Sequence, residues 1–195
     1  MYHVDFIDGV YLKNFSITLP FIAAMRKITD ADLDIHVMLT DPFYYLDDMI
    51  EAGSTYLSFH SEMLMNEAFR TAHYLHKHGR KLGVVLVPGA PIEMIYPYIS
   101  HLDKITVMMV DPGFSGGIFV PEALDTVRKL KELRKEKGYH YIVEADGQCN
   151  EKHFTELKQV GVESYIVGSG LFGLMKQGLT LDEAYYQLIR NIENA

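Results

Sequence analysis

MYHVDFIDG, residues 1–9, reads as a buried β-strand that is under way by its second residue and already carries a His-x-Asp pair, His3 and Asp5. Tyr2, Val4, Phe6 and Ile7 favour extended backbone and show no helical period, and Asp8-Gly9 is a turn signal that ends the strand. A strand entered without a polar lead belongs to the middle of a fold. The expectation is that a preceding unit of the architecture would lie before Met1.

Outward from that strand the pattern alternates strictly. A helix near 20–29 is followed by the strand LDIHVML at 33–39 and a helix at 42–52, closed by Gly53. The strand YLSFH at 56–60, a helix at 66–78 ended by Gly79, the strand KLGVVLV at 81–87 and a short helix near 92–99 come next. The strand KITVMMV at 104–110 runs into a glycine-rich loop and then the charged helix 121–137, ended by Gly138. The strand YIVEA at 141–145, a helix at 151–160, the strand SYIVG at 164–168 and a helix at 181–194 finish the chain. Seven short apolar strands, each followed by a helix, imply a parallel sheet covered by helices. Between an open doubly wound sheet and a closed barrel, seven regular βα units favour an α/β fold of the TIM (β/α)8 type that lacks its first unit. The 195 residues suit a single domain, 1–195.

Composition narrows the function classes. With 48% hydrophobic and 23% charged residues and no low-complexity tract, the chain has the make-up of a globular protein. A net charge of -8 argues against a broad nucleic-acid surface, while a local site for a phosphorylated small molecule stays compatible with it. No apolar run is long enough to span a membrane, and the first residues lack the basic and apolar regions of a signal peptide, so a cytoplasmic location is expected. Cys149, the single cysteine, precludes an internal disulfide.

Chemistry gathers at the carboxyl ends of the strands, where barrel enzymes build their sites. His3 and Asp5 point to the same side of their strand, and His36 and Met38 repeat that spacing on the next. Asp146 follows YIVEA and precedes Gly147. Two His and two Asp, namely His3, Asp5, His36 and Asp146, form an N2O2 set suited to a divalent ion over one barrel mouth. Taken singly, each has a structural alternative: a hydrogen-bonded pair, a satisfied core histidine, a turn aspartate. Three glycine segments add a second constellation: DPGFSGG with Gly113, Phe114, Ser115 and Gly116, DGQ with Gly147, and GSG with Gly168 and Ser169. Bare backbone N–H groups approach an anion closely, and together these loops read as a phosphate cradle. His60 and Glu62 are candidates to stand behind the ligands.

HVDFIDG, DIHVM, VMMVDPGFSGG, EADGQCN and VGSGLFG, in this order, resemble the successive signatures of the ribulose-phosphate 3-epimerase family from residue 1 to about 173. KITVMMVDPGF and EADGQCN are more similar to the D-allulose-6-phosphate 3-epimerase branch than to the pentulose enzymes. The resemblance implies an isomerase that inverts C3 of a ketose phosphate, with His3, Asp5, His36 and Asp146 on the metal and Asp5 and Asp146 as acid and base. It also implies that Met38 and Met108 cap the site, with Ile7 standing where a third methionine is usual and Gly117 where a glutamine is usual. Zinc or ferrous iron is the implied ion, and mixed imidazole and carboxylate ligands leave manganese and cobalt open. The implied partner is a phosphorylated ketose, with a homo-oligomer compatible. Counting the absent unit, Asp5 and Asp146 stand three strands apart in an eight-stranded ring, so they reach a central carbon from opposite sides. The rival reading is a non-catalytic sugar-phosphate binder or an inactive remnant. A related lyase or decarboxylase is disfavoured because the chain has no D-x-K-x-x-D array.

Overall fold

The structure is a computed structural model that describes Met1–Ala195. Seven strands hydrogen-bond in one sheet in sequence order: β1 (Tyr2–Ile7), β2 (Leu33–Met38), β3 (Tyr56–His60), β4 (Lys81–Leu86), β5 (Lys104–Met108), β6 (Ile142–Asp146) and β7 (Ser164–Ile166). The helices are α1 (Leu19–Arg26), α2 (Leu46–Glu51), α3 (Ser61–Leu64), α4 (Ala68–Lys77), α5 (Ala123–Lys137), α6 (Phe154–Gln159), α7 (Gly168–Met175) and α8 (Leu181–Glu193). The strand count is the one expected from the sequence. The chain divides into two compact units, one formed by Met1–Leu86, Ala90–Thr106 and Tyr139–Tyr141, the other by Val87–Gly89, Val107–Gly138 and Ile142–Ala195.

In the first unit β1 to β4 pair in parallel, with Asp5 opposite His36 and His36 opposite Ser58. Every residue of β2 and β3 is buried, as parallel strands covered on both faces require. One side is apolar: Ile35, Val37, Leu57 and Phe59 are fully buried, as are Ile22 of α1, Met49 of α2 and Leu75 of α4. The other side is polar, with Asp34, His36, Ser58 and His60 lined up at alternate positions. Arg26 ties the helical layer together by donating to the carbonyls of Thr29, Ala31 and Gly53 at 3.0, 2.8 and 3.1 Å. A Cβ at Gly53, where φ is +95°, would meet the Arg26 side chain at 2.6 Å, so the helix-closing glycine is also a packing requirement.

In the second unit β6 and β7 pair in parallel, and α5 ends at Gly138 in the left-handed conformation, as its sequence predicts. A capping box starts α8: Glu183 N–H donates to Thr180 Oγ1 at 3.3 Å and Thr180 N–H to Glu183 Oε2 at 2.8 Å. Gly168 and Ser169, read from the sequence as phosphate-loop residues, begin the first turn of α7. Gly170 in that turn lies against the chain: a Cβ on it would meet the Cys149 carbonyl oxygen at 2.6 Å, so the low helix propensity of glycine is accepted there for the close approach it permits.

Glu163 joins α5 to β6. It accepts from Arg134 at 2.7 and 2.9 Å and from the Val143 N–H at 3.1 Å, with Lys131 at 3.2 Å. Burial pushes its carboxyl up, but these cations and the N–H outweigh that and hold it at about 2 instead of 4.5. Its contribution is therefore present above pH 4.5 and lost as pH falls toward 2. Because Glu163 is partly exposed, Glu163→Gln is expected to cost about 1 kcal/mol or less, about 2–4 °C in thermal melts at pH 7, with the gap closing in acid.

Candidate metal and substrate site

In a parallel pair, facing residues two apart on each strand share a side, and this brings His3, Asp5 and His36 together. His3 Nε2 lies 3.3 Å from His36 Nδ1 and 3.5 Å from Asp5 Oδ1, and His36 Nδ1 lies 3.2 Å from the same oxygen. The three atoms form a nearly equilateral triangle. A tetrahedral ion with bonds of about 2.0–2.1 Å sets its ligand atoms about 3.3–3.4 Å apart, so the triangle has the dimensions of one face of such a site.

The protons are disposed to suit a cation. His3 Nδ1 donates to Asp34 Oδ2 at 2.6 Å, which leaves the lone pair of Nε2 turned into the triangle. His36 Nε2 meets His60 Nε2 at 2.9 Å, and with His36 as donor its Nδ1 lone pair also faces inward. His60 Nδ1 then points toward Glu62 Oε1 at 3.5 Å, and Glu62 accepts a short hydrogen bond from the Tyr11 hydroxyl. Burial would raise the Glu62 carboxyl, but the His60 and Tyr11 contacts outweigh it and bring it to about 2. Likewise burial would raise Asp5, but with protons in place of an ion on the facing ring nitrogens, hydrogen bonds donated by His3 and His36 outweigh it and hold its carboxyl well below the usual range. His36 is buried and His3 nearly so, whereas Asp5 keeps half its side chain in solvent and can meet a substrate.

Asp34 is the residue that the sequence reading missed. Its Oδ2 also accepts a short bond from Lys104 Nζ, and its Oδ1 accepts from Ser58 Oγ at 2.6 Å. Asp34 and Lys104 are both fully buried. The signal was present as D-x-H in LDIHVM, since residues two apart on a strand share a face. Asp8, read as a turn residue, organises the loop after β1 by accepting from the N–H groups of Val10, Tyr11 and Thr40 at 2.8, 2.8 and 2.7 Å.

In the second unit Asp146 closes β6 and is followed by Gly147 (φ +94°) and Gln148 (φ +52°). A Cβ at Gly147 would meet Val110 at 2.5 Å, so only glycine fits. Gln148 Nε2 donates to the Gly117 carbonyl at 2.6 Å, and its Oε1 accepts from Asn150 at 2.8 Å. The DGQ turn is thereby fastened to the DPGFSGG loop that carries Gly113, Phe114, Ser115 and Gly116. Met38 and Met108 are buried at the ends of β2 and β5, and Ile7 at the end of β1. Cys149 is buried, which pushes its thiol above the ordinary range and leaves it unreactive. Gln148→Ala is expected to speed hydrogen exchange across 111–117 by about 2- to 12-fold, the worth of one hydrogen bond.

The sequence profile of the Ribulose-phosphate 3 epimerase family matches residues 1–172. The chain belongs to that family. Ribulose-phosphate 3-epimerase of Mycobacterium tuberculosis is 32% identical over 171 residues, 88% of this chain and 74% of that protein. Ribulose-phosphate 3-epimerase of Treponema pallidum is 30% identical over 183 residues, 93% of this chain and 84% of that protein. Among solved structures, a mutant tryptophan synthase alpha-subunit from Pyrococcus furiosus matches with a TM-score of 0.61 at 16% identity, covering 90% of this chain and 70% of that one, a likeness of fold alone. The ribulose-phosphate 3-epimerase family match spans all three glycine segments and the His-Asp triangle. No helix of this family member is long and apolar enough to cross a membrane.

Proposed function

We propose that the chain is a metal-dependent ketose-phosphate 3-epimerase that inverts C3 through a 2,3-enediolate. The observation that carries the reading is the His3–Asp5–His36 triangle, whose edges of 3.2 to 3.5 Å match a bound ion's ligand spacing in a chain of an epimerase family. Asp146, at the end of β6, is the fourth ligand in this reading. A divalent ion held there supplies Lewis-acid charge to the ketose oxygens. Zinc or ferrous iron is the resident ion proposed, with manganese and cobalt as functional substitutes.

Asp5 and Asp146 move the protons. One carboxylate takes the C3 proton from one face, and the other returns a proton to the opposite face. The glycine segments at 113–116, 147 and 168–169 present backbone N–H groups to the phosphate, those of α7 at a helix start. Met38 and Met108 close the site against water. The similarity of KITVMMVDPGF and EADGQCN to the allulose branch favours D-allulose 6-phosphate over D-ribulose 5-phosphate.

The test incubates zinc- or iron-loaded protein with each ketose phosphate in deuterated water and follows exchange at C3. Exchange with epimer formation is expected, faster with allulose 6-phosphate. Binding of both sugars without exchange would establish the non-catalytic binder instead, and faster turnover of ribulose 5-phosphate would reassign the substrate.

A further inference from the structure

We propose that Asp34, held in place by Lys104 and Ser58, is the positioning residue for His3: it accepts the hydrogen bond of Nδ1–H, keeps the proton on that nitrogen and so presents the Nε2 lone pair to the metal. The proposal rests on the metal reading above for its purpose, but the hydrogen bonds that carry it are independent of any ion. Asp34 and Lys104 are fully buried, and a buried ion pair is a poor route to stability, because desolvating two charges offsets most of their attraction. An apolar pair of similar volume would hold the strands at least as well.

Asp34 Oδ2 is shared between His3 Nδ1, at 2.6 Å, and Lys104 Nζ, and Oδ1 is taken by Ser58 Oγ at 2.6 Å. With both oxygens engaged by His3, Lys104 and Ser58, Asp34 acts in this reading by orienting a ligand. Lys104 offsets the charge of Asp34, the acceptor that His3 meets. Ser58 has room for this contact because β4 carries Gly83 opposite it, where a Cβ would come within 2.2 Å of Ser58 Oγ. A carboxylate or carbonyl on the far nitrogen of a ligating histidine sets its tautomer and raises its basicity, and loss of such a partner costs about 10–100-fold in metal affinity.

The test compares the unaltered protein with Lys104→Met, Asp34→Leu/Lys104→Met and Asp34→Asn/Lys104→Met. Thermal melts, zinc affinity by chelator competition, and the nitrogen-15 signature of His3 in metal-free protein are measured for each. Lys104→Met alone is expected to melt far lower, since it strands a buried carboxylate. Asp34→Leu/Lys104→Met should recover the melting temperature, bind zinc about 10–100-fold more weakly and spread the His3 proton over both nitrogens. Asp34→Asn/Lys104→Met keeps one acceptor and should regain part of the affinity. Unaltered affinity and His3 signature in the Leu/Met protein would overturn the proposal. So would a His3 protonated at Nε2 in the unaltered metal-free protein, a result that needs no variant to fold. An unaltered protein with His3 protonated at Nδ1 and no affinity for zinc, iron, manganese or cobalt would sink the metal reading and leave the positioning bond intact.

Discussion

Asp5→Asn is expected to lower kcat by about 10²- to 10⁴-fold while leaving affinity for the phosphorylated ketose nearly unchanged, and Asp146→Asn to do the same, because in the proposed mechanism each carboxylate transfers a proton and neither contacts the phosphate. The amide keeps the size and one oxygen of the carboxylate, so the side chain still fits beside His3 and His36. The two variants should differ in a revealing way. With one base gone, the epimer whose C3 proton faces the remaining carboxylate still exchanges with deuterated water but does not invert, whereas the opposite epimer does neither. Which epimer survives assigns the face served by each residue. Metal content is measured alongside, since Asp5 Oδ1 is also a corner of the triangle, 3.2 Å from His36 Nδ1. Near-normal turnover in either variant, or parallel losses in kcat and substrate affinity, would remove that residue from the acid and base roles.

Chelation is expected to bring epimerisation to background, with recovery on adding zinc or ferrous iron, and to lower the melting temperature. An ion present at about 1,000 times its dissociation constant stabilises the folded chain by about 4 kcal/mol, which corresponds to about 8–16 °C at this chain length. His36→Ala should abolish most of that shift, because it deletes one corner of the triangle and leaves His60 Nε2 without its 2.9 Å neighbour. Full activity in metal-free protein would overturn the assignment, and so would a melting temperature that ignores both chelator and His36→Ala.

The strands were legible because buried parallel strands are continuous apolar runs, and the spacing of His3 and Asp5 places both candidate ligands on one side of such a strand without further information. Helix detail was less so. The short helix expected at 92–99 is two 3-10 turns, Ile92–Ile95 and Ile99–His101, since Pro97 between them has no N–H to continue a ladder. Helix α3 follows β3 without a break and spans only Ser61–Leu64, too short for a period to register. Lys104 was hidden by its position at the head of KITVMMV, where a lysine reads as the solvated start of a strand. Its partner lies 70 residues earlier, and only the strand alternation that places Asp34 and Lys104 on the polar side connects them. Gln148 gave no local sign of its positive φ, which is set by the distant carbonyl of Gly117.

The 70-residue separation of Asp34 and Lys104 has a bearing on synthesis. On the ribosome, His3, Asp5 and His36 emerge long before β5. Until β5 arrives, Asp34 lacks its Lys104 partner. On the metal reading proposed above, a nascent chain at that stage displays three of the four ligands without the arrangement that grips an ion. On that reading, the order of translation defers completion of the ligand set until β6 supplies Asp146, and so spares the unfinished chain from commitment to whichever ion it meets first.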